Sequence, residues 1–161
     1  MKTIQTFFVA IITIFLAACA GSENRNAEKT KVKDAGSPTE NIPFTIAQNY
    51  FVKSTFTGEL ANPKITTEAE FNSIFGMATT MGSGGKPTPI DFANQFVIAV
   101  IPSKSDSTIS ISADDLSKTG NEILLKYSLT KGEKQSFISQ SYLLLVVDSK
   151  YSGDVKSERV N

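Results

Sequence analysis

The 161-residue chain contains no histidine, which removes the Ser-His-Asp and Cys-His nucleophilic arrangements and the common zinc sites together. A Ser-Lys pair is the remaining hydrolytic chemistry to test, because three fragments match its signature. Ser128-Leu129-Thr130-Lys131 fits S-x-x-K, Ser105-Asp106-Ser107 is close to S-D-N, and Lys118-Thr119-Gly120 fits K-T-G. Their order argues against it: S-x-x-K should come first and open a helix, whereas here it comes last, at a strand end before Gly132. Such matches arise by chance in a chain rich in Ser, Thr and Lys, so no catalytic residue is assigned and no enzyme is expected.

Other groups invite binding rather than catalysis. The run Met81, Gly82, Ser83, Gly84, Gly85, Lys86, Pro87 and Thr88 looks like a phosphate loop until its context is read. A P-loop needs G-x-x-x-x-G-K-[ST] between a strand and a following helix, so that helix-start amides face the phosphate. Here position 80 is Thr, position 87 is Pro, and the run lies after a helix and before a strand. It is therefore expected to be a mobile connection that touches a partner, flanked by the adaptable side chains of Met77 and Met81. Asp114-Asp115 and Asp106 read as turn carboxylates, solvated or capping, with a calcium or acid/base site as the sharper alternative. Of the four tyrosines, Tyr127 and Tyr142 look buried by strand phase, leaving Tyr50 and Tyr151 for a stacking surface. No metal and no cofactor is expected.

The N-terminus carries the strongest signal. After Met1-Lys2, residues 7–16 form an apolar run of about ten residues, too short to cross a hydrocarbon core of about 30 Å as a helix, and it reads as a secretory signal. Leu16-Ala17-Ala18-Cys19 resembles the bacterial lipobox, which implies cleavage after residue 18 and acylation of Cys19, the chain's single cysteine. Multiple acyl chains, each contributing about 0.8 kcal/mol per buried methylene, make such an anchor stable. Ala20 follows the cysteine where an aspartate would retain the protein at the inner membrane, so the outer membrane is expected. Residues 19–41 hold Val32 as their only sizeable apolar side chain, too little to offset ordering entropy, and read as a tether. Its lysines, Lys29, Lys31 and Lys33, are interleaved with Glu28 and Asp34. Without residues 1–18 the chain carries fifteen basic and sixteen acidic residues, a balance that calls for no nucleic acid.

A single domain is expected from residue 42 onward. Residues 96–101 (FVIAVI) and 142–147 (YLLLVV) are continuous apolar runs, each the mark of a strand covered on both faces. Residues 44–56 read as one strand with a bend near Gln48-Asn49. Thr67 and Glu70 have capping-box spacing, and Phe71, Ile74, Phe75 and Ala78 recur at i, i+3, i+4 and i+7, so a short helix is expected there, ended by Gly76 or by residues 79–82. Residues 108–112 and 121–130 alternate as half-exposed strands, residues 131–134 read as a turn, and the charged residues 153–160 suit an edge strand. The sum is an α+β fold: a mainly antiparallel sheet of about six strands, curled or two-layered, with one short helix across it.

The run Ile90-Asp91-Phe92, then Phe96-Val97-Ile98-Ala99-Val100, then Tyr142-Leu143-Leu144-Leu145-Val146-Val147-Asp148 resembles the C-terminal domain family of the protease complex subunit PrcB. The likeness spans residues 64–160, with the helical segment 68–75 ahead of it, and departs at Ser141, where a proline is common. Together with the lipobox and the wording of residues 85–92, it is similar to small lipoproteins of Bacteroides-type bacteria. The resemblance implies a non-catalytic domain that binds other envelope proteins, a protease among the partner classes it admits, with no active-site residues to carry over. Two functions are therefore expected: an interaction module using the loop 82–88 or the edge strand, or a binder of a glycan or other small ligand at Tyr50 or Tyr151 beside Asp106 or Asp114.

Overall fold

The computed structural model describes residues 37–57, 60–82 and 84–161; Cys19 and most of the expected tether lie outside them. In chain order the elements are β1 (Thr39–Asn41), β2 (Thr45–Ile46), β3 (Tyr50–Val52), β4 (Lys64–Ile65), α1 (Glu68–Ile74) and β5 (Phe75–Met77). There follow β6 (Gln95–Val100), β7 (Ser105–Thr119), β8 (Glu122–Ser139), β9 (Leu143–Asp148) and β10 (Asp154–Arg159).

The two continuous apolar runs form the centre. β6 and β9 pair antiparallel from Gln95 opposite Asp148 to Val100 opposite Leu143, flanked by β2 and β4 in a four-stranded sheet of order β2-β9-β6-β4. Side chains alternate along a strand, and here both sets are buried. Phe96, Ile98, Leu143, Leu145 and Val147 pack against Leu116, Ile123, Leu125 and Val155 from a second sheet, ordered β1-β7-β8-β10. On the other face, Val97, Ala99, Leu144 and Val146 pack against Tyr50, Phe71, Ile74 and Phe75, supplied by α1 and the two-stranded ladder of β3 and β5. The domain thus has three layers, and the middle one has no wet side.

The α+β, mainly antiparallel reading with one short helix holds; the sheet count differs from the expected sheet of about six strands, curled or two-layered. The strands divide among three open sheets, antiparallel throughout except where β10 runs parallel to β8. Residues 44–56 split at the expected bend: β2 joins the middle sheet and β3 the outer ladder, and Asn49 turns the chain between them at φ 62°. Asparagine is among the few non-glycine residues for which that conformation is cheap.

α1 starts as expected, with Thr67 Oγ1 accepting from the Glu70 amide at 3.2 Å, but stops at Ile74. Phe75 is already extended at φ −109° and ψ 149°, because pairing with β3 competes successfully for its backbone. Phe75 still enters the core, now from a strand, while Ala78 lies beyond the helix. The turns expected at Asp114-Asp115 and at residues 131–134 are absent: both stretches lie inside the long β7–β8 hairpin. Its turn is Gly120-Asn121, between the Thr119–Glu122 pair, with Gly120 at φ 60° as a two-residue hairpin loop requires. β10 is an edge strand, as its charge pattern implied.

Because successive residues of β9 face different cores, Leu144→Ala and Leu145→Ala should each destabilise by about 2–5 kcal/mol in urea denaturation. A strand with one solvated face would give one large and one small effect.

Candidate functional site

The loop before β6 is held at several points by hydrogen bonds. Asn49, held in its left-handed conformation, donates from Nδ2 to the carbonyls of Gly84 at 2.7 Å and Lys86 at 2.8 Å. Gln48 and Thr88 exchange two bonds: the Gln48 amide donates to Thr88 Oγ1 at 2.9 Å and the Thr88 amide to the Gln48 carbonyl at 3.1 Å. The Tyr50 hydroxyl donates to the Thr88 carbonyl at 2.6 Å, and is itself backed by Tyr142, whose hydroxyl donates to the Tyr50 carbonyl at 2.6 Å. Within the loop the Thr80 amide donates to Gly85 O at 3.0 Å. Gly85 has no room for a side chain, since a Cβ there would stand 1.9 Å from the Thr80 carbonyl oxygen. At the loop's tip Met81 is fully exposed, and Met77 is 65 % exposed; Ser83 lies outside the described residues.

This fixed loop forms one wall of an open groove of about 440 Å³. The wall is Lys86-Pro87-Thr88-Pro89-Ile90, and the opposite wall is the flank of α1 that carries Glu68 and Asn72, one turn apart and hence on one face. The floor is aromatic. Tyr50 meets Phe71 edge to face at 5.1 Å between centroids, and Phe92 lies 5.6 Å from Phe71. Phe92 is held by a tight turn: Asp91 accepts from the Ala93 amide at 3.0 Å and from Asn94 Nδ2 at 2.8 Å, while its own amide donates to Gln95 Oε1 at 2.9 Å. The Asn94 side chain, with the Ala93 amide, holds the Asp91 carboxyl below the usual carboxylate range. Its contribution to the turn is therefore full at neutral pH and is lost as pH falls through that lowered value.

The wall's backbone is largely spent, since two of its residues are prolines and the carbonyls of Lys86 and Thr88 are taken. What remains for a ligand is apolar area plus the side chains of Glu68, Asn72, Thr79 and Lys86. Neither Glu68 nor Lys86 has an ion-pair partner among the described residues. Burial pushes the Tyr50 phenol up from its ordinary value, so at neutral pH it is a neutral donor already in use.

The other residues flagged by sequence lie elsewhere. Ser128 donates to Asp114 across the β7–β8 hairpin, Lys118 donates to the Ser152 carbonyl at 2.6 Å, and Asp106 pairs with Lys134 at 3.1 Å. Asp115 accepts from Ser117 at 2.9 Å. The three Ser/Lys fragments are thus strand residues with local partners. Among the described residues no group of three or more acidic or cysteine side chains could hold a metal ion. The expected juxtaposition of a tyrosine with Asp106 or Asp114 does not occur: Tyr50 lines the groove with neither aspartate, and Tyr151 packs against the core between the two larger sheets.

No family model, curated protein or solved structure matches the chain. The groove is therefore described by its own chemistry. Sequence reading singled out the loop but missed Glu68, Asn72 and Phe92 as its companions. The i, i+4 spacing of Glu68 and Asn72 along the flank of the helix's apolar stripe was the available signal.

Replacing Tyr50 by phenylalanine removes one buried hydrogen bond and should lower stability by about 1 kcal/mol. Because folding raises the phenol's affinity for its proton, the wild-type protein should lose stability as pH climbs above about 10, the unfolded value. Stability curves of Tyr50→Phe should lack that component; an unchanged alkaline limb would show that Tyr50 does not carry it.

Proposed function

We propose that the chain is a non-catalytic, lipid-anchored protein-interaction module of the cell envelope, an accessory subunit or regulator of an envelope protein complex. In this reading Cys19 carries the acyl anchor, the outer membrane is the site, and the partner is another envelope protein, as the PrcB-like pattern implies. Among the described residues no helix is long and apolar enough to cross a membrane. The observation that supports the reading is the loop pinned by Asn49 beside an aromatic-floored groove, with Met77 and Met81 exposed next to it. A preformed surface saves the ordering cost that a mobile loop would incur on binding, and exposed methionines adapt to a partner's contour.

A second reading, a lipid-anchored binder of a glycan or other small ligand, draws support from the same groove. Its volume falls in the range of about 300–1,000 Å³ typical of ligand pockets, and Glu68 and Lys86 line it without ion-pair partners among the described residues.

A photo-crosslinking residue at position 81 of the full lipidated protein distinguishes the two in intact cells. A discrete protein adduct is expected, absent when the residue is placed at position 130 on the β7–β8 hairpin, and lost in a Met77→Glu/Ile90→Glu double variant. Both substitutions lie at the groove, and circular dichroism checks that the fold is retained. Adducts of equal yield at both positions, or none at position 81, would sink the interaction reading, and saturable binding of a small ligand by the purified protein would replace it.

A further inference from the structure

Tyr50 and Phe51 are neighbours on β3, so their side chains point to opposite faces. Tyr50 serves the groove described above, while Phe51 leads to a second surface that shares no lining residue with it. Phe51 is 48 % exposed yet held in place: its ring lies directly over Gly76 on the paired strand β5, where even a Cβ would come within 2.4 Å of the ring. The ring is thus preorganised and half in water. Beside it is the end of β8, where the ladder with β7 is interrupted. Between the Ser107–Lys134 and Ser105–Ser139 pairs, β7 advances two residues and β8 five, so three extra residues are accommodated in β8. Phe137 and Ile138 lie in that bulge, 59 % and 71 % exposed. Bulges re-aim side chains out of the regular pleat, and here both are left in solvent, Ile138 in the recess that Phe51 also lines.

Two recesses meet at this corner, of about 550 Å³ and about 400 Å³, and share Lys104 and Gln140 in their walls. Phe51 and Ile138 line the larger, Phe56 and Pro102 the smaller. The charged residues lining them are Lys53 and Lys104, with no acidic residue among the described lining. Lys53 donates to the Asn72 carbonyl; Lys104 has no ion-pair partner among the described residues. A trough that combines apolar side chains with charge of one sign, on a chain whose formal net charge is zero, selects an occupant that is both apolar and negative.

We propose that this corner docks an extended, acidic and apolar segment of a partner polypeptide, with apolar side chains entering the two recesses and carboxylates meeting Lys53 and Lys104. Gln140, which lines both recesses, gives one Nε2 hydrogen to the Pro102 carbonyl at 3.3 Å and has Oε1 and the second Nε2 hydrogen left, an amide of the kind that reads a peptide backbone. A membrane surface would be met by a convex, protruding patch instead. The site is independent of the groove beside the loop and stands or falls separately from it.

The test is fluorescence anisotropy with the full chain in detergent and a labelled peptide of alternating glutamate and leucine, compared with its lysine-leucine counterpart. The acidic peptide should bind, its affinity should fall as salt rises, and the basic peptide should not compete. Ile138→Asp and Lys104→Glu should each weaken binding by about tenfold. Both positions are exposed, so thermal denaturation should show the fold intact. Lys104→Arg should retain binding, and Met77→Glu, in the other groove, should leave it unchanged. Equal binding of both peptides, no binding of the acidic one, or indifference to both disruptive substitutions overturns the proposal. So does the alternative occupant: vesicles of phosphatidylglycerol that retain the Cys19→Ser protein through Ile138 while the peptide fails to bind.

Discussion

The structure depends on one constraint: the β6–β9 pair is buried on both faces, so it must be covered twice. Every other element follows from that requirement. The β7–β8 hairpin with β1 and β10 covers one face through Leu116, Ile123, Leu125 and Val155, and α1 with the β3–β5 ladder covers the other through Tyr50, Phe71, Ile74 and Phe75. Burial at roughly 25 cal/mol per Å² makes such a strand pair the largest single source of stability in a domain of this size. It also explains why the outer layers can be irregular. They need only present apolar side chains toward the centre, and their outer surfaces are free to carry grooves.

Both surfaces discussed above lie on the layer formed by α1 and the β3–β5 ladder or at its margin, and both trace back to residues 48–51. Asn49 turns the chain at φ 62°, and that turn aims its amide at the loop. The two residues that follow then divide between a groove of mixed charge and a trough of lysines. A three-residue strand beside a tight turn therefore organises a larger area than its length would imply.

Much of the centre was legible because burial leaves a compositional trace. Residues 96–101 and 142–147 are apolar without interruption, and only a doubly covered strand has use for that. The Thr67 cap was legible because hydroxyl and carboxylate spacing is a local matter, and the bend at Gln48-Asn49 because asparagine tolerates what most residues do not. The long hairpin was not legible. Lys131-Gly132-Glu133-Lys134 is polar because that part of β8 is exposed, and an exposed ladder shows no apolar period that would distinguish it from a turn. The contacts that hold the loop were not legible for a related reason. Glycine and serine report local freedom, whereas the bonds that remove it come from Asn49, 35 residues from the Gly84 carbonyl it holds. The groove needed walls from α1 and from residues 86–90, and nothing local in either announces the other.

The long β7–β8 hairpin bears on the order in which the chain assembles. β6 and β9 are separated by about 42 residues along the chain, and closing a loop of that length before their contacts form is entropically costly. The hairpin is joined by a two-residue turn, so it can zip from Gly120-Asn121 outward with short loops at every step. When the Ser105–Ser139 pair closes, only residues 101–104 and 140–142 still separate the paired ends, Val100 and Leu143. By the logarithmic scaling of loop entropy, that shortening removes on the order of 1 kcal/mol from the closure cost of the central pair. The outer hairpin, which also supplies Leu116, Ile123 and Leu125 to the core, thus acts as the clamp that makes the core's least local pairing a local one.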